Sequence, residues 1–151
     1  MVEMTVTVTG GKEVLERLRK LDVDLSNMAV PFKAGGEALT KFYSTVPFAS
    51  RGSIYGTAWP ALTPDYAKRK AEKWGGGRPI LVGDGTLAKS FTYKSSKDEL
   101  KIWNSSEDLF KWHQLGMGNN PQRVMMLFDN ARQRIVTGIV EKYVKEKVEN
   151  G

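Results

Sequence analysis

Apolar and polar positions alternate at the start of the chain. Val2, Met4, Val6 and Val8 are interleaved with Glu3, Thr5, Thr7 and Thr9. A period of two carried by β-branched residues predicts a half-buried strand, ended by Gly10-Gly11. The period then changes. Val14, Leu15, Leu18 and Leu21 share a face of a short helix over residues 13–21. Leu25, Met28, Ala29, Phe32, Leu39, Phe42, Tyr43 and Val46 continue at three-to-four spacing and predict one long helix. Unbroken from Leu25 to Val46 it would be about 33 Å long. Pro31 either kinks it or marks its true start, because proline lacks the backbone donor.

Residues 47–60 are rich in Gly, Ser and Pro and predict a loop. Thr63-Pro64-Asp65 reads as a helix start: a Thr cap, Pro at the first helical position and an acid in the first turn. That helix carries Tyr66, Lys68, Arg69, Lys70 and Lys73 and stops at Gly75-Gly76-Gly77, within a second loop over 74–85. Residues 86–89 fit one helical turn. Residues 90–95 and 99–104 alternate well enough for two strands joined by a turn at 96–98, pairing Phe91 with Tyr93 on one face and Leu100 with Ile102 on another. Ser106 caps a short helix over 107–115, residues 116–121 form a third loop, and 124–128 is a brief apolar run. Asp129 caps a last helix whose stripe is Ile135, Val136, Ile139, Val140, Tyr143, Val144 and Val148. The pattern is α+β: a small antiparallel sheet packed against a long helix in the N-terminal half and a long C-terminal helix, with long flexible loops. Strands and helices do not alternate as a doubly wound nucleotide-binding fold requires.

At 151 residues the chain is expected to form one domain, 1–151. It has no cysteine, which excludes disulfides, iron–sulfur clusters and thiolate zinc sites. Its one histidine, His113, excludes a multi-histidine metal site. The longest uncharged run, 52–64, holds two Gly and two Pro, so no membrane span and no export signal is expected. The formal charge is +6, and it is unevenly placed. Residues 68–101 hold nine basic and four acidic side chains, a local +5, while residues 1–67 and 102–128 balance. This stretch is either a solvated basic surface or a face turned to an anionic partner such as DNA.

Candidate chemistry is sparse. The glycines between 75 and 85 lack the Gly-Lys-Ser/Thr of a phosphate loop and the spaced triplet of a dinucleotide fingerprint. His113 is better explained by packing or hydrogen bonding than by general base catalysis, since nothing in the spacing supplies its nucleophile and orienting acid. Asp65, Asp84, Glu107 and Asp108 read as caps or loop acids. Trp74, Phe91, Tyr93 and Trp103 lie in or near the basic third, where stacking on bases competes with ordinary core packing. No catalytic residue, cofactor or metal is expected.

Several short motifs follow one another in a fixed order: Gly56-x-x-Trp59-x-x-Leu62, Tyr66, Lys70, then Pro79-Ile80-Leu81, Gly85-x-Leu87-x-x-Ser90, Trp112-His113-Gln114-x-Gly116, and Pro121-x-Arg123 before the last helix. This order, over about residues 50–145, resembles the phage virion-morphogenesis family, the tail-completion proteins of contractile-tailed and Mu-like phages. Asp84 stands where that family usually has Thr. The resemblance implies a non-enzymatic structural protein that completes the head-proximal end of the tail and contributes to head–tail joining. It implies a ring of copies, commonly six, in the tail or neck of a virion assembled in host cytoplasm. The implied partners are the chain itself, tail-tube or tail-terminator proteins and head-connector proteins, with passing DNA and no membrane. The loops at 47–60, 74–85 and 116–121 would be docking arms. Trp59, Leu62, Leu87, His113, Gly116, Pro121 and Arg123 are the candidate interface or motif positions. The alternative is a sequence-independent nucleic-acid-binding module using 68–101, with Lys68, Arg69, Lys70, Lys73 and Arg78 facing DNA.

Overall fold

A computed structural model describes residues 3–6, 27–78 and 80–150. The expected helix at 13–21 lies outside the described residues. The elements in order are β1 (Glu3–Val6), α1 (Ala29–Ala49), a 3-10 turn (Ser53–Tyr55), α2 (Pro64–Trp74), the short α3 (Thr86–Lys89), β2 (Phe91–Ser95), β3 (Leu100–Asn104), α4 (Glu107–Leu115) and α5 (Asn130–Asn150). The strands form one sheet in the order β1-β3-β2, with β2 and β3 as an antiparallel hairpin. The class is α+β, with a long helix in the N-terminal half and another at the C-terminus. Among the described residues no helix is long and apolar enough to cross a membrane.

Local chemistry explains most boundaries. Pro31 is the third residue of α1, where a missing N–H costs little, and so marks its start. The helix outlasts the loop expected from residue 47: Pro47 lies inside its last turn. The end is set further on. Gly52 N–H donates to the Pro47 carbonyl at 2.8 Å, and Arg51 N–H to Phe48 at 3.3 Å. Arg51 and Gly52 both have positive φ, so a left-handed Schellman-type turn ends α1. Thr63 caps α2 as expected, its hydroxyl accepting from Tyr66 N–H at 3.3 Å behind Pro64. Asp129 caps α5, accepting from Arg132 N–H at 3.1 Å and holding the buried Arg132 guanidinium in two further bonds. Ser106 does not cap α4; its hydroxyl pairs with Ser90 at 2.9 Å instead. The hairpin turn closes through Ser96 N–H to the Glu99 carbonyl.

The chain packs as two compact units. One takes Thr40–Thr92 and Trp103–Leu127. Its core is an aromatic series: Phe91 meets Tyr43, Phe48 and Phe110 at ring-centroid distances of 5.9, 6.4 and 5.8 Å, and Phe48 meets Trp59 edge-on at 5.6 Å. The other takes Glu3–Leu39, Tyr93–Ile102 and Phe128–Gly151. There Phe32, Leu39, Leu100, Ile102 and Val136 are buried. In α1, Gly36 lies against the Tyr93 ring, and a Cβ there would overlap it. The expected buried stripe of α5 is only partly realised. Val136 is buried, Ile135, Ile139, Val140, Tyr143 and Val144 are half-buried, and Val148 is exposed. Of these positions, Val136 near the helix start is the one beside Gly35 of α1, which also faces Leu100.

Candidate functional site

The first unit contains a cavity of about 600 Å³. Its walls come from the segment before α2, one face of α2, the loop at 81–84, α3, α4 and the segment 119–123. Each wall is fixed by identifiable bonds. Arg78 ties the end of α2 to the following loop, donating to the Trp74 carbonyl at 2.5 Å and to Gly83 at 2.8 Å. Leu81, on the wall, has φ of +63°, a left-handed conformation uncommon for a branched residue. Asp84 accepts from Thr86 N–H at 2.9 Å at the start of α3. A threonine hydroxyl can accept the same bond, so Asp84 does the local work expected of the family's usual residue there.

After Arg123 the chain continues as an irregular segment. Four successive carbonyls from Val124 to Leu127 each accept a side-chain donor. Trp59 Nε1 serves Val124 at 2.9 Å, Tyr55 serves Met125 at 2.9 Å, Gln114 Nε2 serves Met126 at 2.7 Å and Tyr43 serves Leu127 at 2.9 Å. Gln114 Oε1 also accepts from the N–H groups of Met125 and Met126 at 2.8 and 3.1 Å. Buried backbone polar groups must find partners, and here side chains replace a neighbouring strand. Gly116, at φ +66°, ends α4 and brings the Gln122 backbone close. Arg123 N–H then bonds to the His113 carbonyl at 2.8 Å. The Arg123 guanidinium is buried and donates to Pro60 at 3.1 and 2.8 Å, holding the entry to α2.

The structure brings five of the seven candidate motif residues to one place: Leu62, Leu87, His113, Pro121 and Arg123 line the cavity, beside Tyr66 and Lys70. Trp59 and Gly116 do not line it; they hold the segment behind it. The basic candidates divide. Lys68, Arg69, Lys73 and Arg78 are exposed, Arg69 also at the cavity's edge, whereas Lys70 is buried in the cavity wall. The clamping bonds of Tyr43 and Tyr55 escaped the sequence reading because they link parts of the chain far apart in sequence, and that of Gln114 because nothing in its motif points to the 125–126 backbone.

The electrostatics are cationic. Burial, then Arg123 and Arg78, hold the Lys70 ammonium below its ordinary lysine value. Burial, then Arg123, push His113 below its ordinary value and favour the neutral imidazole. Burial also lowers Arg123, with Tyr66 acting the other way. Among the described residues Asp84 is the only carboxylate on the walls; it is exposed and held low first by its hydrogen bonds with Thr86. His113 Nδ1 is buried without a hydrogen-bond partner among the described residues. The arrangement therefore sets positive charge beside an imidazole nitrogen that has no hydrogen-bond partner among the described residues. Among the described residues no group of three or more metal-ligating side chains occurs.

No curated protein and no solved structure matches the chain significantly. The sequence model of the phage virion morphogenesis family matches residues 8–145. That span includes every motif residue converging on the cavity, and the chain belongs to the phage virion morphogenesis family.

Proposed function

We propose that the chain is a non-enzymatic structural protein of the phage tail, completing its head-proximal end and contributing to head–tail joining. The observation that carries this reading is the family match over residues 8–145. Copies assemble as a ring in the tail or neck, head to tail, so that two different surfaces of each subunit meet. The ring contacts tail-tube or tail-terminator proteins below and head-connector proteins above. The test is deletion of the gene from its phage with complementation in trans. Lysates should hold filled heads and tails that fail to join, seen by electron microscopy, and complementation should restore plaques. Undiminished titre with intact joined particles would sink the reading.

A second reading is favoured by one observation: Lys68, Arg69 and Lys73 of α2 are all exposed, with exposed Arg78 beyond them. Such a face suits sequence-independent contact with passing DNA, since phosphate contacts carry no base information. Binding should then weaken steeply with salt. Charge reversal at Lys68, Arg69 and Lys73 should abolish it; unchanged duplex binding in that variant would dismiss the idea.

A further inference from the structure

Exposed apolar surface concentrates on α4. Leu109, Trp112 and Leu115 recur every three residues along one side of the helix and are 42, 50 and 51% exposed. Met117, also exposed, follows directly. Exposed apolar residues scattered singly are ordinary, but a contiguous strip marks an interaction site. This strip runs into the mouth of the cavity. Leu109 is part of the cavity wall, and so are Tyr66 and Arg69 of α2. Tyr66 is exposed, and the exposed Arg69 guanidinium stands over its ring at 6.0 Å from the centroid. One rim thus joins aromatic, aliphatic and guanidinium side chains, the residue types that interface centres favour.

Charge identifies the occupant. The unit carrying the strip holds ten Lys and Arg against five Asp and Glu over residues 40–92 and 103–127. The rest of the chain is nearly balanced, thirteen against twelve. A second copy docked strip to strip would set like charge on like, and the balanced remainder of a copy brings no net acidic complement. Glu107 and Asp108 stand at the first turn of α4, and the strip runs away from them toward Met117. Shape narrows the choice further. An extended segment binds by adding main-chain hydrogen bonds to a sheet edge, whereas a helix lays an apolar face on an apolar groove. The backbone of α4 is bonded within its own turns and offers no such edge. Leu109 to Leu115 spans about 9 Å, close to the reach of helical side chains at i, i+4 and i+7.

We propose that the α4 strip and the Tyr66–Arg69 rim dock an acidic amphipathic helix of another protein. Its apolar side chains, three or four residues apart, lie on Leu109, Trp112 and Leu115, and carboxylates on one flank face Arg69. The proposal names a class of partner for the assembly role above and rests on that reading.

The test replaces Leu115 with the photo-crosslinker p-benzoylphenylalanine in the full chain, expresses it in cells infected with the deleted phage, and irradiates them. The expected adduct joins the chain to another protein, at a segment of net negative charge with apolar residues three or four apart. That segment, synthesised as a peptide, should bind the purified chain roughly tenfold tighter than its amide counterpart with Gln and Asn for Glu and Asp. Arg69→Glu should abolish this preference, and Trp112→Ala should weaken both peptides about tenfold. Lys41→Glu, on α1 and outside the rim, should change neither. All three positions are exposed, so unchanged thermal melts show that the variants are folded. An adduct to a second copy, to DNA or to a segment without acids overturns the proposal, as does the absence of any adduct. Equal affinities for the two peptides, or a preference that survives Arg69→Glu, also overturn it. The adduct is independent of the deletion phenotype. The expected adduct alongside normal particles from the deleted phage would reject the assembly role and keep the surface; unjoined tails with no such adduct would do the reverse.

Discussion

At the scale of single residues, two positions carry sharp consequences. Gly116 sits at φ +66°, and a methyl there would stand 2.9 Å from the Gln122 backbone nitrogen. Both strain and contact act against any side chain, so Gly116→Ala should lower stability by about 1–3 kcal/mol, read as a lower midpoint in chemical denaturation. His113 gives a pH signature. Its folded value lies below the ordinary 6.5 of the unfolded chain, so the native state binds fewer protons. Stability is then unaffected above the unfolded value, falls as pH drops through it, and the loss is complete below the folded value. His113→Gln should remove this part of the acid sensitivity, so the melting-temperature gap between wild type and variant should change sign or narrow as pH falls from about 8 to about 5. A gap independent of pH would show that the imidazole is not held neutral.

At the scale of elements, close approach outweighs propensity. Gly36 lies mid-helix in α1, where alanine would gain about 1 kcal/mol of helix propensity. The overlap with the Tyr93 ring costs about 1–3 kcal/mol as overpacking, so Gly36→Ala should destabilise on balance, by thermal melting. Thr63→Ala should cost about 1 kcal/mol and raise amide exchange in the first turn of α2. What was legible in the sequence follows the same logic. The Thr63-Pro64-Asp65 start, the 96–98 turn and the Asp129 cap were readable because their partners lie within a few residues. The early end assigned to α1 came from the Gly, Ser and Pro content of 47–60, whereas the helix runs on through Pro47 to Ala49 and ends at the Arg51-Gly52 turn. Ser106 read as a cap because Ser90, its actual partner, is distant in sequence. The burial of Lys70 was not legible, since a lysine on a polar helix defaults to solvent and only the arrival of Arg123 and His113 closes the wall around it. Motif residues were found as a set, but that five of the seven candidates meet at one cavity showed only once the chain was folded.

At the scale of the molecule, the basic side chains behind the +6 charge fall into exposed and buried sets. The exposed cations of α2 form a surface, screened by salt; Lys70 and Arg123 form a buried pair that salt reaches poorly. Raising salt should therefore weaken any duplex binding by the exposed cations steeply, measurable in one titration series. The segment from Val124 to Leu127 has a consequence for how the protein comes apart. Its carbonyls are held by Tyr43, Tyr55, Trp59 and Gln114, three of them 84, 70 and 65 residues away along the chain. Contacts that close such long stretches are slow to form and tend to be made after the folding barrier. Tyr55→Phe, which removes one of these long-range bonds, should then speed unfolding while leaving the folding rate nearly unchanged, visible as a shift of only the unfolding arm in stopped-flow kinetics. The segment acts as a latch: it sets how long a finished subunit stays closed more than how quickly it closes.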